Sequence, residues 1–284
     1  MFKRMVPKQS NAVAGVIEAL LLVALVAVII STIQLVYIPE IMKQQEADHM
    51  HEVENQFSHL KSIIDLQSSI KGRDPISSSI TLGSRELPYF ITARAFGRLY
   101  VFDDDNNYVE FFNNTNDIVL NVSLNAIIFE SINAYYINQN FILEGGGVIL
   151  FQDDGGESMK IHPQVTFINS SGTIYLNWTI YNFSVIGGKD SADGYKSCYI
   201  RTQFASNETR SYENISYIRI YSNYVDAWNQ SIDWLKVDAI HTNTDYSFVN
   251  ISKNGSEILS VDIEIVDIEV QIGVGTIMQY PKKT

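Results

Sequence analysis

The chain has 284 residues, one cysteine and a formal net charge of −12 at pH 7. That length is enough to bury the core of one sizeable domain or two small ones. The acidic charge disfavours a nucleic-acid partner, which needs a basic face, and the single cysteine excludes an intrachain disulfide.

The first element in chain order is an apolar segment over residues 13–38, whose only charged residue is Glu18. It is longer than the roughly 20 apolar residues that cross a bilayer core. Basic residues precede the segment and none follows it until Lys43, which predicts a cytoplasmic N-terminus and export of everything after residue 38. The segment is too long for a cleaved secretory signal and has no small-residue cleavage site after it, so we expect a single-pass membrane anchor.

Residues 39–72 continue the helix as an amphipathic segment. Its apolar residues recur every three or four positions and share one face, while the charged residues, Glu46 and Lys61 among them, are expected mostly elsewhere; the apolar stripe is Met50, Val53, Phe57, Leu60 and Ile64. Pro39 lacks an amide hydrogen, so we expect a kink there. Two interpretations of the apolar face stay open, namely packing on the protein's own β-domain and packing on neighbouring copies.

Residues 73–87 are predicted to be a linker and residues 88–284 an exported β-domain. Short runs rich in Tyr, Phe, Val, Ile and Thr alternate with polar turns there and predict short strands, among them 134–137, 197–204 and 217–222. One short helix interrupts them near residues 225–235. In the last strand the apolar alternation slips by one between Ile265 and Val266, which a β-bulge would absorb. The predicted fold class is α+β: a long N-terminal helix, transmembrane and then amphipathic, followed by an antiparallel all-β sandwich-like domain.

Ten Asn-x-Ser/Thr triplets all lie on the side that is predicted to be outside the cell. N-linked glycans need surface positions in an exported chain, so the set predicts a glycosylated surface domain. The candidate asparagines are Asn113, Asn121, Asn169, Asn177, Asn182, Asn207, Asn214, Asn229, Asn250 and Asn254.

The sequence has no motif of an enzyme, a cofactor site or an established metal site. The run that begins at His51 and Glu52 starts like a helical zinc-protease motif, but Asn55 stands where the second histidine is needed. The acidic runs Asp103–Asp105 and Asp153–Asp154 contain oxygen ligands for calcium without a helix-loop-helix spacing, and they are equally typical of turns between strands. We therefore expect no catalytic residue, no cofactor and no metal, with calcium at the two acidic runs left open.

The run Asn11-Ala12-Val13-Ala14-Gly15-Val16-Ile17-Glu18 resembles the R-A-V-S-P-V-I-G type start of archaeal type IV pilin-like proteins, which carry a class III signal peptide. Leu143–Leu150 is weakly similar to an E-N-G-A-V-I-L segment in archaeal proteins with such starts. The resemblance implies that a prepilin peptidase cuts between Ala12 and Val13 and removes the leader, residues 1–12. Residues 13–38 would then form the filament core, where the new amino terminus of a neighbour approaches Glu18. Two features depart from the pattern: Asn11 replaces a basic residue, and Glu18 is sixth after the cut, whereas the glutamate of the bacterial relatives is fifth. A cut after Val13 would restore the fifth position but would lose the small residue before the cut.

The first functional hypothesis is therefore a pilin-like subunit that assembles through its apolar helix and displays a glycosylated β-domain. The alternative is a permanently anchored envelope or accessory protein, such as a minor pilin or an archaellum-stator-like component that binds the surface layer. A third hypothesis, a stalked ectoenzyme or sugar-binding module, would gain support from an exposed aromatic cluster beside an acidic pocket. The expected partners are membrane lipid, the prepilin peptidase, copies of itself or other pilins, and the surface layer.

Overall fold

The structure is a computed structural model. It describes residues 9–85, 93–103, 105–187, 189–234, 239–242, 248–252 and 258–273. Most of the predicted leader, Asp104 and the candidate glycosylation site Asn254 lie outside these residues.

A continuous helix forms the N-terminal part of the molecule. It consists of α1 (Gln9–Thr32), a π-helical turn (Ile33–Tyr37) and α2 (Ile38–Ile70). The amide of Ile38 donates to the carbonyl of Ile33, the bond that defines a π-turn. Because Pro39 has no amide hydrogen and its ring crowds the preceding turn, the perturbation expected at the proline takes the form of this wider turn directly before it. From Ala14 to Ile70 the helix has 57 residues, which makes it about 86 Å long at 1.5 Å per residue.

The C-terminus of α2 is closed by a Schellman motif. Lys71 adopts a left-handed conformation with φ of 52°. Its amide donates to the carbonyl of Ser68 at 3.3 Å, and the amide of Gly72 donates to the carbonyl of Gln67 at 3.0 Å. The helix thus ends two residues before Gly72, in front of the Asp74-Pro75 stop signal.

Strands make up almost all of the remaining described structure, together with one short helix, α3 (Val225–Trp234). In chain order the strands are β1 (Ile76–Thr81), β2 (Phe96–Phe102), β3 (Tyr108–Asn113), β4 (Ile118–Ser123), β5 (Ala126–Ile132), β6 (Gln139–Glu144), β7 (Gly147–Gln152), β8 (Gly156–Ile161), β9 (Val165–Ser170), β10 (Thr173–Val185), β11 (Ser191–Gly194), β12 (Ser197–Tyr221), β13 (Ala239–Thr242), β14 (Phe248–Ser252) and β15 (Ile258–Ile272).

The described strands form two sheets. The first has nine strands in the path β13-β14-β12-β15-β10-β9, with β1 and β3 also paired to β12, and β4 paired to β3. The second has six strands in the order β11-β2-β5-β6-β7-β8. All pairs are antiparallel except β10 with β15, which run parallel over thirteen residue pairs from Thr173–Ile258 to Val185–Val270. The predicted fold class, a long N-terminal helix followed by a mainly antiparallel β-domain, is confirmed.

The apolar side chains form two cores on opposite faces of the second sheet. The helix-side core contains the stripe of α2 and strand residues that include Leu99, Phe129, Phe141, Phe183, Ile200 and Ile268. The outer core is covered by α3 and includes Phe111, Ile128, Ile142, Ile149, Trp178, Ile218, Trp228 and Ile263. Strands β5, β6 and β7 contribute alternate residues to each core, so both of their faces are buried.

The long strands of the first sheet pass from one core to the other. Strand β15 contributes Ile263 to the outer core and Val266 to the helix-side core, and β10 does the same with Ile180 and Tyr181. These residues lie on opposite faces of their strands. The slip between Ile265 and Val266 therefore marks the point where β15 passes from one core to the other. The bulge itself is in the partner strand β12, where one extra residue lies between Phe204 and Ser206, opposite Asp267 and Ile268.

Three expectations need correction. The predicted linker 73–87 contains β1, whose residue Ile80 is buried in the helix-side core and which pairs with β12. The run Ala134–Ile137, which we read as a strand, is a bend held by the helix. The two runs at 197–204 and 217–222 belong to one 25-residue strand, β12.

Candidate membrane-spanning and assembly site

The first half of the helix presents an apolar surface with no protein packed on it. Every side chain from Ala14 to Tyr37 is exposed, with 66% of Leu21 and 77% of Leu35 accessible. In the described part of the chain this is the one helix long and apolar enough to cross a membrane. An apolar helix of this length is stable in lipid because all of its backbone groups are paired internally.

Glu18 is the only charged side chain on this surface. It is exposed, and it makes no hydrogen bond or ion pair with any residue that the structure describes. A carboxylate inside a membrane span is costly unless it is paired or reaches the interface. Ala12 and Val13, the predicted cleavage positions, lie about one and a half turns earlier in the backbone of the same helix. An amino terminus created at Val13 would thus lie roughly 7.5 Å along the axis from Glu18.

The helix changes from exposed to buried within a few residues. Tyr37 is 60% accessible, whereas Ile38 is 7% accessible and Met42 is fully buried. The π-helical turn and Pro39 lie at this boundary. The change therefore separates a free apolar rod from a half of the helix that is part of the β-domain's core.

Glu46 fixes this half of the helix to the β-domain. Its carboxylate is fully buried and accepts hydrogen bonds from the amides of Ala134, Tyr135 and Tyr136 at 3.0, 2.7 and 2.7 Å. Three consecutive amides that converge on one anion form a concave anion site of the kind called a nest. The expectation that the charged residues lie mostly off the buried face is wrong for Glu46 and for Lys61, which is 4% accessible.

Further polar contacts fix the distal end of α2. The side chains of Gln67 and Thr202 are buried and bonded to each other: the hydroxyl of Thr202 donates to Oε1 of Gln67 at 2.9 Å. Nε2 of Gln67 also donates to the carbonyl of Thr202 at 2.7 Å. Asp65 accepts from the hydroxyl of Tyr181 at 2.7 Å and from Lys61 at 2.5 Å. Burial of Tyr181, with Asp65 beside it, raises the pKa of that phenol. Helix α2 is thus fixed by specific bonds at both ends of its apolar stripe.

A second buried carboxylate, Glu144, joins three segments around the outer core. It accepts from the hydroxyl of Ser222 at 2.6 Å, the indole of Trp228 at 2.7 Å and the amide of Asn107 at 3.1 Å. All three donors are neutral, and burial raises the pKa of Glu144 to about 7. Glu144 precedes Gly145, where φ is 57° and where a Cβ atom would lie only 2.9 Å from the ring of Trp228.

The predicted glycosylation sites fall into two groups. The side-chain nitrogens of Asn113, Asn182 and Asn207 donate to nearby carboxylates at 3.5, 3.0 and 2.7 Å. A glycan on any of these nitrogens would replace one of its two N–H groups and would have to lie beside the bonded carboxylate. Asn121, Asn169, Asn177 and Asn214 are exposed, and Asn229 and Asn250 are half-buried.

The other candidate residues form no catalytic arrangement in the described part of the chain. No group of three His, Cys, Asp or Glu side chains comes together there with a geometry for a metal. The acidic residues at 103, 105, 153 and 154 are exposed and lie in or beside turns. Cys198 is buried, and burial raises the pKa of its thiol, which makes it a poor nucleophile.

Comparison with known proteins adds no relative: no family model, no curated protein and no solved structure matches this chain.

The residues that sequence reasoning missed are Glu46 and Glu144. Glu46 follows Met42 by four positions and precedes Met50 by four, which places a charge on the same helix face as the apolar stripe. Glu144 ends an apolar run just before a glycine turn, and nothing local indicates that its partners come from three distant segments.

Proposed function

We propose that the chain is a type IV pilin-like cell-surface subunit. In this proposal the N-terminus lies in the cytoplasm, the apolar helix first spans the membrane, and the β-domain lies outside the cell. The observation that carries the proposal is the division of one continuous helix into a free apolar half, Ala14–Tyr37, and a docked half, Ile38–Ile70.

The division matters because it is what assembly through a helix requires. Side chains that pack on nothing in the monomer have their whole surface available for lipid or for copies of the same helix. Hydrogen bonds of Glu46 and Gln67 hold α2 on the β-domain near both of its ends. The place of the apolar half in an assembly would therefore also determine the place of the β-domain. The N-terminal resemblance to archaeal type IV pilin-like proteins and the ten glycosylation triplets support the same proposal.

The permanently anchored accessory protein remains the second candidate. It shares the free apolar half and the exported domain, and it differs in copy number and in the absence of an extended polymer. Both candidates predict a membrane-bound precursor, so only the processed chain and its location separate them.

The test is N-terminal and intact-mass analysis of the protein from native cells, with sheared surface material measured beside the membranes. A chain that starts at Val13 and is enriched in the sheared fraction supports the pilin-like subunit. A Val13 start that is confined to membranes supports the accessory protein. A chain that still begins at Met1 contradicts pilin-like processing.

A further inference from the structure

The outer face of the first sheet carries an ordered platform of aromatic side chains on β3, β12 and β14. Two aromatic cross-strand rows flank one polar row. The first row is Tyr108, Tyr221 and Phe248, and the second is Phe112 with Tyr217; the polar row between them is Asn121, Glu110, Arg219 and Asn250, one residue from each of β4, β3, β12 and β14. We refer to these nine residues as the aromatic platform.

The side chains of the platform are held in place by one another. The rings of Phe112 and Tyr217 stack at 4.4 Å, and those of Tyr108 and Tyr221 lie 4.5 Å apart. The guanidinium of Arg219 lies between 4.9 and 5.1 Å from the ring centres of Phe112, Tyr217 and Phe248. Because these rings are stacked or tilted against one another, and three of them also contact the guanidinium of Arg219, the platform is held in place before any ligand arrives.

Asn121 lies at the exposed end of the polar row. It pairs directly with Glu110, and Ser123 of the same glycosylation triplet pairs directly with Tyr108. Between them Val122 points into the outer core and is 6% accessible, so Asn121 and Ser123 both point outwards. A diagonal neighbour on an adjacent strand lies about 7–8 Å away, roughly the reach of one sugar ring. A sugar on Asn121 would therefore begin beside the ring of Tyr108.

We propose that the first sugars of a glycan on Asn121 fold back over the aromatic platform and stack against Tyr108. The apolar C–H face of a pyranose ring complements the electron-rich face of an aromatic ring, and its hydroxyls complement the polar row. Asn121 is the attachment point because it is exposed, whereas Asn250, at the other end of the row, is half-buried with Oδ1 fully enclosed. The glycan is then part of the folded surface of the β-domain. This inference rests on the proposed export of that domain.

The experiment compares the reactivity of Tyr108 with and without the glycan in the full chain recovered from native cells. Glycopeptide mass spectrometry first establishes which sites are occupied. Asn121→Gln and Ser123→Ala each remove the Asn121 glycan by a different change, and hydroxyl-radical footprinting then measures the oxidation rate of Tyr108. Both variants are expected to raise that rate by roughly two- to tenfold, the ratio that one aromatic contact provides.

Asn177→Gln is the matched control, since it removes a glycan from an exposed site on β10 of the same sheet. It should leave Tyr108 unchanged, and the exposed Tyr199 on the other half of β12 serves as the internal reference. An unchanged Tyr108 rate in both test variants, or an equal rise in the control, overturns the inference. An empty Asn121 beside other occupied sites overturns this inference alone, whereas a wholly unmodified chain also contradicts the export on which it rests.

Discussion

Among single residues, Glu46 is a fully buried charged side chain that joins the helix to the β-domain. Replacing it with alanine leaves three amides of residues 134–136 without their acceptor. An unsatisfied buried donor costs about 1–3 kcal/mol, and water regains part of this here, so we expect Glu46→Ala to lower the free energy of unfolding by about 2–4 kcal/mol. Urea unfolding measures the change. Asp48→Ala is the control, because Asp48 is exposed and, among the described residues, accepts a hydrogen bond from its helix neighbour Gln44 alone; equal effects of the two variants would contradict the role of Glu46.

Glu144 makes stability depend on pH through its raised pKa. Its pKa is about 7 in the folded state against 4.5 as the ordinary value, so between these values the folded state holds a proton that the unfolded state has lost. Stability attributable to Glu144 therefore falls as pH rises from about 4.5 to about 7, by about 3 kcal/mol in total, and is constant above that range. The lowered pKa values of His49 and His162 act in the opposite direction.

The effect of the Glu144 carboxyl group is separated from that of the histidines by comparing the pH dependence of unfolding in the wild type and in Glu144→Gln. Glutamine keeps an oxygen to accept from Ser222 and Trp228 but does not titrate. The free energy of unfolding is measured for both proteins at several pH values between 4 and 8. As the pH rises, the value for the variant should increase relative to the value for the wild type. Parallel curves for the two proteins would disprove this effect of Glu144.

Under the proposed function, the charge of Glu18 would distinguish filament assembly from simple membrane anchoring. If it pairs with the amino terminus of a neighbour, Glu18→Gln should leave the protein in the membrane and reduce sheared filament material at least about tenfold, the loss expected from one partner of a buried charge pair. Glu40→Gln, at an exposed acid just beyond the apolar half of the helix, should change neither quantity. Quantitative immunoblots of the sheared and membrane fractions measure both. Normal filament yield from Glu18→Gln would contradict the pairing.

At the scale of secondary-structure elements, the end of α2 offers a stabilising change. Lys71 occupies the left-handed position of the Schellman motif, which favours glycine because a side chain there is strained. The side chain of Lys71 is exposed, so its removal loses little packing. The left-handed conformation costs a residue with a side chain roughly 1–2 kcal/mol, and glycine loses about 0.5–1 kcal/mol more in conformational entropy on folding. We therefore expect Lys71→Gly to raise the free energy of unfolding by about 0.5–1 kcal/mol. The same replacement at Lys43, in the interior of the helix, should be destabilising, and equal signs for the two variants would contradict this account.

The elements differ in how far their sequence determines them. The helix is predictable because its apolar length and the spacing from Met50 to Ile64 are local patterns. Strand β1 is not, since Ile76–Thr81 contains three serines and becomes a strand only by pairing with β12, over a hundred residues later. Tyr135 and Tyr136 favour a strand by propensity, yet the distant carboxylate of Glu46 captures their amides and holds a bend.

In the candidate site, too, features set by the local sequence are predictable, and features that depend on distant residues are not. The apolar half of the helix and Glu18 follow from composition, because no partner in the monomer is needed to define them. The docking contacts do not, because Glu46, Gln67 and Asp65 meet partners from other parts of the chain. The slip at Ile265–Val266 was visible in the sequence, but its cause, a strand that passes between two cores, depends on where both sheets lie.

At the scale of the whole molecule, the β-domain and the docked half of the helix should form one folding unit that does not need the apolar half. Since no side chain from Ala14 to Tyr37 is buried, a chain that starts at Ile38 loses no monomer packing. We expect it to be soluble and to unfold within about 1 kcal/mol of the full chain in micelles. A chain that starts at Val53 lacks Met42, Glu46 and Met50, which are almost completely buried, and should not fold. Sedimentation and urea unfolding measure both. If the chain from Ile38 were unfolded, the apolar half would be structural in the monomer and not reserved for lipid or for neighbouring copies.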